Sequence, residues 1–287
     1  MSAPTIMQLY PLPGRERELK GIYLQTPEST ELDHTQPWVY TNFITSLDGR
    51  IAIEQPVNGG SNVPASITNT RDWRLYQELA ARADVLLVSA RFLRELMQGK
   101  AQDNLPISTA PDFTDLLEWR AQQGLSPQPA IVILSASLDL ALNDFCVASA
   151  RPVYVATGRR ADTNAVRRLE ESGAKILYAG AGREVDGKQL VEQLVNAGFY
   201  NIYSIAGPGV LETLLRASVL DCIYLTQVHR LLGGAKYDTL LGGDLLQPPA
   251  DFNLESLYYD NNDDSSCGQF FSIYKKVIPD RGHDDCD

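Results

Sequence analysis

The sequence predicts an α/β protein built on a mixed sheet, mostly parallel, with helices on both faces and a C-terminal antiparallel hairpin. Three observations carry this. From residue 85 to 228, short apolar runs alternate with helix-like segments, the pattern of parallel strands joined by crossover helices. The runs Val85–Val88 and Ala130–Leu134 are apolar throughout, as a strand buried on both faces requires. Ser256–Tyr259 and Phe270–Val277 flank the polar loop Asp260–Gly268 with no helix between them, so they read as a hairpin.

Taken in order, residues 1–37 are mixed and punctuated by Pro11, Pro13, Pro27 and Pro37, which predicts a loosely ordered lead-in. Trp38–Ile53 alternates around apolar and β-branched residues and stops at Gln55-Pro56, as a strand pair or a strand running into a loop. Asn58–Asn62 is a loop. Thr68 precedes a helix from about Asn69 to Arg82, with Trp73, Tyr76, Leu79, Ala80 and Ala83 on one face. Strands Val85–Val88, Ala130–Leu134, Val153–Ala156, Lys175–Tyr178, Ile202–Ala206 and Cys222–Val228 then alternate with helices Leu116–Gln122, Thr163–Ser172, Lys188–Asn196 and Gly209–Ala217. The charged residues Asp280–Asp287 predict frayed chain. The organisation expected is a lead-in (1–37), one domain (38–278) and an acidic tail (279–287).

Composition narrows the function. The formal net charge is −11, and such a surface repels nucleic acid while leaving room for a small anion in a locally basic pocket. No apolar stretch reaches the roughly 20 residues of a membrane-spanning helix. Met1–Leu12 lacks the pattern of a secretory signal. Cys146, Cys222, Cys267 and Cys286 are widely spaced and do not cluster with His34, His229 or His283, which argues against a zinc site and for reduced thiols in a cytoplasmic protein. The expected partner is a small molecule, not nucleic acid or membrane.

Three segments carry candidate chemistry. In Thr41–Ala52, Asn42 sets an amide inside an apolar strand; burying it without partners is costly, so it meets backbone or a ligand. Asp48-Gly49 reads as a turn. In Ile205–Leu211, Gly207 and Gly209 flank Pro208 between a strand and a helix. That is either a pyrophosphate site at a helix N-terminus or a plain Gly/Pro-punctuated turn. In Val155–Arg160, Thr157 ends a strand, where α/β folds bind ligands. Arg159 and Arg160 suit either a phosphate or an ordinary solvated basic face.

The run Asn42-x-x-x-Ser46-Leu47-Asp48-Gly49-Arg50-Ile51-Ala52 resembles the opening motif of the reductase domain of the bifunctional riboflavin deaminase/reductase family and of its stand-alone archaeal and fungal relatives. Gly60-Ser61 with Ile67-Thr68, then Ala83–Val88, Gln102-Asp103-Asn104, Ala206-Gly207-Pro208, Val219-Leu220-Asp221 and Leu232-Gly233-Gly234 are similar to later parts of the family pattern, in order, over roughly Trp38 to Val277. The deaminase half is absent. The resemblance implies a dihydrofolate-reductase-like fold, a homodimer, and NADPH-dependent reduction of 5-amino-6-(5-phosphoribosylamino)uracil or a close relative to a ribityl product. It implies catalytic roles for Asn42 and Asp48 and substrate contacts from Ser61 and Asp103. It implies cofactor contacts from Ile44, Ser135, Thr157, Arg159, Gly207, Pro208 and Gly209.

Departures from the family pattern qualify the substrate. Ile205 stands where the family carries an acid, and Ala80 where it carries an arginine expected at the substrate phosphate. Ser89-Ala90-Arg91-Phe92 replaces a small cofactor loop with a bulky one, and Arg91 and Arg94 are candidate replacement charges. A diverged paralogue that binds NADPH and acts on another substrate, or on none, is the alternative; it predicts a cleft filled by Phe92 and Ile205. Dihydrofolate reduction on this fold needs a buried acid beside the pterin ring, and no helix offers a convincing one.

Overall fold

Strand β3 (Trp38–Ser46) is the spine of the molecule. Its period-two pattern sends Val39 and Phe43 to one face of the sheet and Tyr40 to the other. It pairs in parallel with β10 (Asn201–Ser204) on one side and β11 (Cys222–Val228) on the other. The computed structural model describes residues 4–25, 35–54, 61–97, 107–142, 145–146, 151–261 and 267–277.

From β10 the sheet continues in parallel through β6 (Val85–Ser89), β7 (Ala130–Leu134), β8 (Val153–Thr157) and β9 (Lys175–Tyr178). From β11 it turns antiparallel through β14 (Gln269–Lys276), β13 (Phe252–Asp260), β1 (Thr5–Tyr10) and β2 (Arg15–Glu18). The result is an eleven-stranded mixed sheet. A second, three-stranded sheet joins β12 (Tyr237–Asp238), β4 (Ala52–Glu54) and β5 (Ser61–Asn62).

Helices α5 (Gly187–Asn196) and α6 (Pro208–Arg216) cover one face through Leu190, Leu194, Leu211 and Leu214. Helices α1 (Thr70–Arg82), α2 (Ala90–Met97), α3 (Thr114–Gln122) and α4 (Thr163–Glu171) cover the other through Leu75, Leu79, Leu93, Leu116 and Leu169. The mixed sheet, the terminal antiparallel pair and the two helical layers follow the sequence expectation.

Three local expectations are corrected. The start of the chain is not a loose lead-in: residues 5–10 and 15–18 are paired strands on the sheet edge. Pro11 and Pro13 lie in the turn between them, where proline is tolerated, and Ile6 and Gln8 are buried at alternate positions. The following turn is pinned to α1, because Glu78 accepts from the backbone N–H groups of Gly21 (2.6 Å) and Tyr23 (3.0 Å). Ala90–Met97 is a helix rather than a bulky loop, anchored by buried Leu93. Ser61-Asn62, expected in a loop, forms β5. Asp103 and the tail Asp280–Asp287 lie outside the described residues.

Candidate active site

A cleft of about 540 Å³ opens beside the C-terminal ends of β3, β10 and β6. Its floor is Asn42 and Ile44 of β3; one wall is Asp72, Trp73 and Tyr76 of α1; the far side is the small sheet, through Ala52, Ser61 and Asp238. The Ile205–Pro208 turn and Arg91 and Phe92 of α2 complete it. The volume suits a small organic ligand, and the cleft stays open with Phe92 and Ile205 on its walls rather than filling it.

The floor is polar at one point. Tyr203 Oη donates to Asn42 Oδ1 at 2.6 Å, so the amide expected to need a partner has one. On the helix wall, the Trp73 and Tyr76 rings stack at 5.0 Å and 11°. Asp72 begins this wall in the first turn of α1, where the Asn69 side chain caps the helix by accepting from the N–H groups of Arg71 and Asp72. Burial raises the Asp72 carboxyl from 3.8 to about 6, and a hydrogen bond from the Thr226 hydroxyl offsets part of that. Arg91, a basic residue on the wall, is paired to Glu95 at 2.9 Å.

The cleft gathers Asn42, Ile44, Ser61, Gly207 and Pro208 from the expected set. Gly209 follows in α6 but does not line it. Asp48 sits off the cleft: its carboxylate accepts from the Ser46 hydroxyl and the N–H groups of Leu232 and Gly233, and pairs with Arg50 at 2.8 Å. Those bonds hold it at about 2 and tie the β3 turn to the 232–233 segment. Ser135 is buried and its Oγ accepts from Leu138 N–H, closing its own turn. Thr157 is fully buried at the end of β8, while Arg159 beside it is exposed. Ala80 packs in the core of α1 and is not on the cleft wall, so the arginine missing there is not a gap in the lining.

Asp72, Trp73, Tyr76 and Asp238 also line the cleft, and no sequence motif marks them as site residues. Asp72 also corrects the expectation that no helix supplies an acid in the cleft. An acid in a first helical turn is an ordinary partner of the helix dipole, so its sequence signal is indistinguishable from surface charge.

The comparisons agree with this architecture. The chain is 24% identical over 209 residues to the 2,5-diamino-6-ribosylamino-4(3H)-pyrimidinone 5′-phosphate reductase of Aquifex aeolicus, covering 73% of this chain and 84% of that protein. A solved pyrimidine reductase-like protein from Corynebacterium diphtheriae superposes with a TM-score of 0.67 at 18% identity, covering 89% of this chain and 98% of that one. The diaminohydroxyphosphoribosylaminopyrimidine deaminase/5-amino-6-(5-phosphoribosylamino)uracil reductase of Thermotoga maritima gives 0.53 at 15% identity, covering 85% of this chain and 57% of that one. At these identities the two solved structures establish the fold. The model of the RibD C-terminal domain matches residues 37–263, most of the chain, and the protein belongs to that family.

Proposed function

We propose that the chain is an NADPH-dependent reductase of a ribosylaminopyrimidine in riboflavin biosynthesis. The observation that carries the reading is an open cleft, in a chain of this family, that joins the Asn42 floor to the Gly207 turn. Ser61 would contact substrate from the small sheet, and Asp103 would assist from outside the described residues. Asn42 would orient the reacting end. Asp48 would act one step removed, by holding the turn that follows the floor strand.

The residues present fit the cofactor. Gly207 has ordinary extended backbone, and a Cβ built on it would meet nothing within 4 Å, so a ligand has access to the backbone there. No side chain caps α6, and a helix N-terminus of this kind favours a diphosphate. Ile44 lines the same space. Ser135 follows β7, Thr157 ends β8 and Arg159 lies just beyond it. Three strand spacings, about 14 Å, separate β10 from β8 along this edge, room for the adenosine half of an extended dinucleotide. Bound NADPH would supply the hydride that converts the opened ribose to a ribityl chain. We also propose a cytoplasmic location and a homodimer, from the family resemblance; sedimentation of the purified protein tests the second. No helix among the described residues is long and apolar enough to cross a membrane.

The test is NADPH oxidation by the purified chain with ribosylaminopyrimidines, phosphorylated and not, and with dihydrofolate, together with complementation of a strain lacking only the reductase. Turnover of a ribosylaminopyrimidine and rescue are expected. NADPH binding without turnover would mark a diverged paralogue, and preferential turnover of dihydrofolate would overturn the reading.

A further inference from the structure

The relatives named above divide over the pyrimidine itself: one reductase name carries a diaminopyrimidinone, the other an aminouracil. The two rings differ at one position, where the exocyclic amine of the first becomes a carbonyl oxygen in the second. A protein that separates them needs a group in the cleft that tells an N–H donor from an acceptor.

Asp72 has that chemistry and position. It lines the cleft, partly buried, with the hydroxyl of Thr226, itself buried on β11, close enough to favour its charged form. Thr226 is in register with Ile44, and Ile44 and Asn42 share a face of β3, so Asp72 stands within a strand spacing or two of the cleft floor. Asp72 acts electrostatically on the tyrosines Tyr23, Tyr76 and Tyr203, all held protonated by burial, and it shares the cleft with Arg91, Glu95 and Asp238. It forms no ion pair with the described residues, and Arg91 is already taken by Glu95. A half-dehydrated carboxylate with one hydroxyl donor is under-satisfied, since burying charge is costly without further donors. The stacked Trp73 and Tyr76 rings beside it offer a wall for a flat heterocycle.

A carboxylate pairs best with two parallel N–H donors. The aminated ring presents such an edge, a ring N–H beside the exocyclic amine. In the uracil ring the corresponding N–H lies between two carbonyl oxygens, and one of them would face the carboxylate. The edge of the uracil that does offer two donors includes the nitrogen that carries the ribose. Pairing there would set the reacting ribose against Asp72 instead of along the floor toward Asn42 and Gly207. We propose that Asp72, backed by Thr226, reads the amine-bearing edge and makes the still-aminated diaminopyrimidinone the substrate. This rests on the reductase function proposed above.

The experiment compares the aminated and deaminated ribosylaminopyrimidines in steady state with NADPH, for the wild type and Asp72→Asn. A second arm measures binding of two bare rings, 2-aminopyrimidin-4-one and uracil, by chemical-shift titration. The wild type should prefer the aminated substrate by at least about ten-fold in kcat/KM, the size of one charge-assisted hydrogen bond. It should also bind the bare aminated ring more tightly. Asp72→Asn presents one donor and one acceptor, so the preference should collapse or invert toward uracil. Equal use of both rings by the wild type, or an Asp72→Asn variant that weakens both alike with bare-ring discrimination intact, would overturn the proposal. Absence of turnover on either ring, with no NADPH binding, would sink the reductase reading alone; the bare-ring comparison then still decides what Asp72 recognises.

Discussion

The hydroxyl of Tyr203 donates to Asn42 Oδ1 across 2.6 Å, and this bond fixes which end of the amide faces the cleft. Burial pushes the Tyr203 hydroxyl well above its ordinary range, so it stays a donor at any physiological pH. Asn42 Oδ1 is therefore the acceptor, and Nδ2 is left to donate to a ligand. Tyr203 is itself held by a stacked contact with Tyr40 at 4.9 Å.

Tyr203→Phe keeps that stack and deletes the bond. The amide then loses its fixed orientation, and kcat/KM should fall about five-fold, the worth of one ordinary hydrogen bond of about 1 kcal/mol. Steady-state kinetics beside a thermal melt checks this. A loss of activity that only follows a loss of fold would show that Tyr203 serves packing alone.

Asp48 gives a pH prediction. Its hydrogen bonds to Ser46, Gly233 and Leu232, with Arg50 nearby, lower its pKa from 3.8 to about 2. A depressed carboxyl contributes stability that is fully present above about pH 4 and is lost as pH falls through about 2. Asp48→Ala should be less stable than wild type at neutral pH, with the gap narrowing below pH 4. Denaturant unfolding at several pH values measures it, and a gap independent of pH would mean that the charge contributes nothing.

The parallel strands were legible in the sequence because burial on both faces leaves continuous apolar runs, as in Val85–Val88 and Ala130–Leu134. Asn42 was legible for the opposite reason, as a polar residue where the strand pattern called for an apolar one. Strand β1 was hidden because the prolines that follow it read as breakers of the whole segment, although they mark only its turn. Tyr203 looked like one more core residue; its role depends on the parallel register that sets β10 beside β3. Asp72 was illegible for the same kind of reason: nothing local tells a first-turn acid facing solvent from one that α1 has laid against Thr226.

Two glycines near strand ends should respond oppositely. A Cβ at Gly207 points into open space, whereas one at Gly158 would clash with the Gly182 carbonyl oxygen. Gly158→Ala must displace backbone and should cost about 1–3 kcal/mol of stability. Gly207→Val should fold normally yet weaken NADPH about ten- to hundred-fold by blocking charge-assisted contact with the diphosphate. Melting curves and nucleotide titration separate the two, and normal NADPH affinity in Gly207→Val would place the diphosphate elsewhere.

Arg159 and Arg160 are exposed past the end of β8, and their N–H groups bond Gly180 and Gly182 carbonyls, which fixes the loop and leaves the guanidinium groups outside. If they hold the phosphate that distinguishes NADPH from NADH, replacing both with alanine should raise the NADPH Kd about ten-fold or more and leave NADH unchanged. Equal effects on both nucleotides would make the pair ordinary surface charge.

The last prediction follows from Asp72 as a charge the fold carries at a cost. Its folded pKa of about 6 lies above the ordinary 3.8, so the folded chain holds this proton more tightly than the unfolded chain does. The sign is the reverse of that for Asp48. The penalty is absent below about pH 4, grows as pH rises through 6, and is complete above it. Asp72→Asn removes the charge and keeps an acceptor for Thr226. It should therefore stabilise the protein at neutral pH by on the order of 1–3 kcal/mol, and the gain should vanish near pH 4. A ligand that supplies two N–H donors relieves the same penalty, so binding of the bare aminated ring should tighten as pH rises through about 6 and lose that dependence in Asp72→Asn. Melts from pH 4 to 8, paired with ring titrations over the same range, test both halves. A variant less stable than wild type at neutral pH would show that the carboxylate serves the fold and not a ligand.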